Sequence, residues 1–134
     1  MQVVNLRGYE DNSQAGFGHP IVLTVSTQLL AERPDIVDRW MKRLLRAQEW
    51  VHAHISQTRR IFATDTGLPD ALLEQGYSSR LLDQVDISLA PGRVALVRSK
   101  YQHLLANGFL EGGYDFDAMI DEGPLQRSKE LLVA

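Results

Sequence analysis

The chain is 134 residues long, enough for one domain or for a piece of a larger one. Hydrophobic residues make up 44% and charged residues 23%, a balance that argues against disorder. Fourteen Lys and Arg against 17 Asp and Glu leave a net charge of −3, which excludes broad nucleic-acid binding. Cysteine is missing, so disulfides, thiolate metal sites and a cysteine nucleophile are excluded within the chain. No apolar run approaches the roughly 18 residues that a membrane-spanning helix needs. Met1 is followed at once by Gln-Val-Val-Asn-Leu, with neither a basic n-region nor an apolar h-region. Either the protein is cytosolic or the chain begins inside a longer one.

In chain order, Val3 to Leu6 is a short β-prone run, and Tyr9 to Gly18 is aperiodic and reads as a loop. Ile21-Val22-Leu23-Thr24-Val25, directly after Pro20, is predicted as the best strand, and its unbroken apolar character fits burial on both faces. Ser26 or Thr27 can cap a short helix over Gln28 to Glu32. Pro34 opens the strongest helix, with Asp35 and Asp38 at its positive end. Ile36, Val37, Trp40, Met41, Leu44, Leu45, Ala47 and Val51 recur in it at helical spacing, which predicts an end near His52 to Ile55.

A second helix is expected over Ser56 to Thr66, stopped by Gly67, and a third over Pro69 to Gln75, closed by Gly76. Tyr77 to Ala90 is ambiguous. Pro91 begins a helix carrying Val94, Val97, Tyr101, Leu104 and Leu105, with Asn107-Gly108 as its C-terminal stop. Gly112-Gly113 reads as a turn, Phe116 to Asp121 as short and acidic, and Pro124 to Val133 as a last amphipathic helix.

Two short strands and five or six helices make a helix-rich α/β chain. A two-stranded sheet is marginal alone in water, and a strand of the buried type needs neighbours on both edges. Residues 1–134 are therefore read as a single partial domain, strand–loop–strand over 1–26 and helical over 27–134.

Charge is uneven. Residues 33–60 hold seven basic and three acidic side chains, whereas 108–134 hold two basic and six acidic ones. These are either solvated faces or, for the basic stretch, a docking surface for an acidic partner. His52 and His54 lie two apart and cannot share a metal from one helix face. Asp115, Asp117 and Asp121 suggest a calcium loop, but Ile120 stands where that loop needs glycine and Gln126 where it needs a bidentate acid. No metal site and no cofactor are expected. Trp40 and Trp50 are expected as packing anchors. Gly16-Phe17-Gly18-His19 precedes a strand and lacks a phosphate-loop lysine. It is either a turn or a cleft-lining loop, in which case Phe17, Gly18 and His19 face a ligand.

Pro20-Ile21-Val22-Leu23-Thr24-Val25-Ser26, Leu29-Leu30-Ala31-Glu32-Arg33-Pro34-Asp35-Ile36-Val37 and Leu44-Leu45-Arg46-Ala47-Gln48-Glu49-Trp50 together resemble a stretch of bacterial ABC-transporter solute-binding proteins. A second block agrees, Tyr101 to Leu110 followed by Tyr114-Asp115-Phe116-Asp117-Ala118-Met119-Ile120-Asp121. The branch resembled is that of the sulfonate, taurine and nitrate binders, with thiamine-precursor binders related to it. The resemblance spans roughly 20–133 and corresponds to the C-terminal part of such a protein. It implies a partial lobe of a two-lobed, periplasmic-binding-protein-like fold that closes on its ligand by hinge motion.

The function so implied is binding without chemistry: part of an importer's receptor for a small anion such as an aliphatic sulfonate, taurine or nitrate. The implied partners are the solute, the ABC permease, and the rest of the receptor or further copies of the chain. The implied location of the full-length protein is the periplasm or cell surface. Two other readings stand beside it. One is a segment of a desulfinase-like or thiamine-pyrimidine-synthase-like enzyme on the same scaffold. The other is a cytosolic helical interaction module that docks through the basic face of residues 33–60.

Overall fold

The computed structural model describes residues 21–76, 82 and 85–133. The chain divides into two compact units, one of Ser26–Ile87 with Glu122–Ala134, the other of Met1–Val25 with Ser88–Asp121. No described helix is long and apolar enough to cross a membrane.

The expected α/β class, with its two short strands, is not what forms: the described residues are rich in helix and contain no strand. Val3 to Leu6 lies outside the described residues. Ile21 to Val25 is described, and it carries no ladder and lies open to solvent, Ile21 at 93% and Leu23 at 48% exposure. The physical reason is that β-branched residues favour extended backbone locally, but a strand exists only against another strand. None is present among the described residues to accept this one.

In the first unit, α1 (Thr27–Glu32) starts where Ser26 Oγ accepts from the Leu29 amide at 3.1 Å, satisfying one of the orphan N–H groups of the first turn. α2 (Pro34–Ala53) begins at once with proline at a position whose missing N–H has no helical partner. The Asp35 carboxylate accepts from both Arg33 and Arg39, fixing this junction from either side. The chain breaks at His54, whose backbone leaves helical geometry, and resumes as α3 (Ile55–Thr66). Gly67 ends α3 at φ 68°, the left-handed conformation that disfavours residues with a Cβ. α4 (Asp70–Gly76) follows after Pro69.

The main docking in this unit is of α6 (Gly123–Val133) against α2. Val37 and Leu45 of α2 and Pro124 and Leu125 of α6 are buried apolar side chains of this unit. Polar groups are placed inside this seam and every one of them has a partner. Arg127 holds Asp38 with two hydrogen bonds, Nε to Oδ2 at 2.7 Å and Nη2 to Oδ1 at 3.0 Å. The fully buried Ser128 hydroxyl donates to the Asp38 carbonyl at 3.0 Å, and Lys42 donates to the Leu131 carbonyl. A second, smaller cluster joins α3 and α4: Leu73 and Thr58 are buried, and Arg59 pairs with Glu74.

The other unit is built on α5 (Pro91–Ala106), which also opens with proline and is followed by Asn107 and by Gly108 at φ 71°. The chain then turns and makes one 3₁₀ turn, Asp117–Met119. Its α5 has no buried residue among those described: Val94, Val97 and Tyr101 are only half-buried and Leu104 is exposed. Helices of this kind take their stability from packing rather than propensity, and the apolar side of α5 is only half-covered.

Candidate functional site

Phe17, Gly18 and His19, the residues expected to face a ligand, lie outside the described residues. The two histidines of the first unit are separated by their own hydrogen bonds. His52 Nε2 donates to the Val85 carbonyl at 2.7 Å, and His54 Nδ1 donates to the Trp50 carbonyl at 2.9 Å. Among the described residues no three His, Asp or Glu side chains gather closely enough to hold a metal ion. Asp115 and Asp117 serve local structure instead. Asp115 Oδ1 accepts from the amides of Asp117 and Ala118, an Asx-type cap on the 3₁₀ turn.

The basic stretch 33–60 separates into spent and available charges. Arg33 and Arg39 are tied to Asp35, Lys42 to a carbonyl, and Arg59 to Glu74. Arg43, Arg46 and Arg60 are exposed and form no ion pair among the described residues. Arg60 lies on α3; Arg43 and Arg46 lie on α2, away from Val37, Asp38 and Leu45.

At about 100° per residue, Ile36, Trp40, Arg43, Ala47 and Trp50 fall within an arc of about 80°, opposite Val37, Asp38, Met41 and Leu45. All five of the first set are exposed, Trp40 at 48% and Trp50 at 39%. The tryptophans are thus not buried anchors of the described core, contrary to the sequence expectation. Among the described residues, Trp50 stacks on the His54 imidazole at 4.7 Å and 12°. Trp40 rides on the solvent side of the helix. Leu44 and Val51 join the exposed set to Val37 and Met41, so the apolar stripe of α2 is wide, and α6 covers only part of it.

The second unit carries a cluster that the sequence did not disclose. Arg98 and Tyr101 stand one turn apart on α5 and reach the segment after the Gly112–Gly113 turn. The Tyr101 hydroxyl accepts from the Tyr114 amide at 3.0 Å and donates to the Tyr114 carbonyl at 2.8 Å. Its ring lies 4.7 Å from the Tyr114 ring and 5.5 Å from the Phe116 ring. The Arg98 guanidinium sits 4.5 Å over Phe116 and forms a two-pronged bond to Asp117.

The hydrogen bonds from Arg98 hold the Asp117 carboxyl below the ordinary carboxylate range, and the bond to Asp117 lifts Arg98 further above its ordinary value. The hydrogen bonds from Arg33 act in the same direction on Asp35. Arg98 and Tyr101 at i, i+3, followed by an aromatic–Asp–aromatic–Asp run, were the visible signal for this clasp. What was not visible is that a tyrosine hydroxyl would satisfy both backbone groups of one residue.

Chemically, the described residues offer recognition: an apolar surface with two free guanidinium groups on α2, and a clasp that fixes an acidic turn. Compared with family models, with curated proteins and with solved structures, the chain matches none of them.

Proposed function

We propose that the chain is a binding component without chemistry of its own, the C-terminal helical part of a solute-binding receptor that delivers a small anion, such as an aliphatic sulfonate, taurine or nitrate, to an ABC permease. One observation carries this reading. Ile21 to Val25 is a charge-free apolar run that leads into a well-capped helix and yet is left in solvent. A contiguous exposed apolar run of this kind marks a surface that another body covers. The three sequence blocks behind the receptor resemblance start at this run and continue through α1 and α2.

The anion would be held by the complete receptor, through backbone N–H groups and polar side chains, and release would follow opening of its lobes. The protein produced from the whole reading frame is the proper sample. A two-lobe receptor requires about 200 residues beyond this segment, so sequencing the DNA upstream of codon 1 is the first check. Thermal-shift measurements with taurine, alkanesulfonates and nitrate follow, and at ligand concentrations 100-fold above Kd a specific ligand stabilises by about 2.7 kcal/mol. No stabilisation by any of these anions would defeat the reading.

A second reading, a helical interaction module, is favoured by a different observation: the exposed Trp40, Arg43 and Arg46 on the open side of α2. It needs no ligand and no upstream lobe.

A further inference from the structure

The open side of α2 has a complement elsewhere in the same sequence. Between Leu104 and Gln126 the chain has no Lys or Arg and five acidic residues, Glu111, Asp115, Asp117, Asp121 and Glu122. Two large apolar side chains stand out from this stretch, Phe109 at 72% and Met119 at 65% exposure. Of its acids, Asp117 is neutralised by Arg98 and Asp115 is engaged with backbone amides. Glu111 is exposed and has no ion pair among the described residues.

We propose that the chain self-associates, the α2 face of Ile36, Trp40 and Arg43 with Arg46 receiving the acidic, apolar stretch Phe109–Asp121 of a second copy. The two surfaces match in kind. Each carries large exposed apolar groups together with exposed charge, and the signs of that charge are opposite. Pairing α2 with the same face of another α2 is disfavoured, because an antiparallel crossing centred on residue 43 would set Arg43 against Arg43. The heterologous pairing avoids that repulsion and exchanges two identical contacts if the assembly closes as a dimer. Apolar burial holds the contact, and the charges supply its specificity and its sensitivity to salt. The proposal does not rest on the receptor reading, since it requires neither a solute nor an upstream lobe.

Sedimentation velocity of the 134-residue chain tests it, with circular dichroism to check that each variant keeps its helix. At about 20 mM salt the chain is expected to sediment at twice its monomer mass or more. At about 500 mM, where the Debye length is only a few ångströms, it is expected to shift toward monomer. Arg43→Glu with Arg46→Glu is expected to give a monomer at low salt, and Glu111→Lys is expected to weaken association in the same direction. An equimolar mixture of the two reversed variants is expected to recover association, because both contacts between unlike copies are again of opposite charge: unchanged α2 meets the unchanged stretch, and reversed α2 meets the reversed one.

A monomeric wild type at low salt overturns the proposal. So does association that both reversals leave unchanged, which would place the contact on another surface. Recovery by salt but not by mixing also overturns it, since the charges would then act without being partners.

Discussion

Among single residues, the clearest consequences concern groups whose geometry leaves one role open to them. Asp117 is held ionised by Arg98, so its carboxyl titrates below the ordinary value of about 3.9. A group depressed in the folded state adds stability above its unfolded pKa and loses it as the pH falls through the folded one. The clasp between α5 and the acidic turn is therefore expected to persist at neutral pH and to loosen in acid. Carboxyl chemical shifts followed against pH will show this, and Arg98→Gln is expected to bring Asp117 back toward the ordinary range while leaving Asp35 depressed by Arg33. If Asp117 titrates alike in both proteins, the ion pair does not form in solution.

Gly67 is another such residue. No atom lies near the place a Cβ would occupy, so Gly67→Ala meets no steric neighbour and its cost comes from φ alone. That cost is about 1–2 kcal/mol. Asparagine, which tolerates the left-handed region, is expected to cost less, and equal destabilisation by both in urea melts would show that something other than backbone conformation is at stake.

Elements were legible where the chain is punctuated. Pro34 and Pro91 open α2 and α5 as the sequence indicates, and Gly67 and Gly108 close α3 and α5, because fixed φ at one end and positive φ at the other are local properties. Ile21 to Val25 was misread for the complementary reason. Its residues fit a strand, but pairing is a property of neighbours that no local pattern supplies. The partner of α2 was equally hidden, since Asp38 and Arg127 are 89 residues apart and nothing in either neighbourhood names the other. The exposed tryptophans were misjudged because size alone argued for burial, whereas Trp40 lies on the turn-side away from α6.

The same seam yields a prediction about elements. Arg127→Ala strips two hydrogen bonds from the nearly buried Asp38 carboxylate. Because the arginine is itself half exposed, about 1–2 kcal/mol is expected rather than the larger loss of a fully buried pair. Ser128→Ala removes the buried bond to the Asp38 carbonyl and is expected to cost about 1 kcal/mol. Both changes act on one network, so their combination is expected to cost less than the sum. Strict additivity in chemical denaturation would mean that the Arg127 and Ser128 bonds act independently of one another.

For the whole molecule, the described surfaces share one trait: apolar groups left in water beside good local structure. Ile21 to Val25 and the Ile36–Trp40 side of α2 lack cover among the described residues, and the apolar side of α5 is only half-covered. α1 is capped by Ser26 and the polar groups of the α2–α6 seam have partners, yet these areas stay bare among the described residues, and both proposals above supply something to cover them. The receptor reading names the rest of a longer polypeptide, and the self-association proposal names a second copy. Both follow from the same physical circumstance.

Hydrogen exchange at the amides of Val22 to Val25 tests that circumstance most directly, compared between the dilute 134-residue chain and the product of the whole reading frame. Exchange at the rate of an unstructured peptide is expected in the dilute chain, with slowing of at least about 100-fold, or about 2.7 kcal/mol of protection, once the segment is covered. Equal, rapid exchange in both proteins would contradict the account, and so would strong protection already present in the dilute monomer.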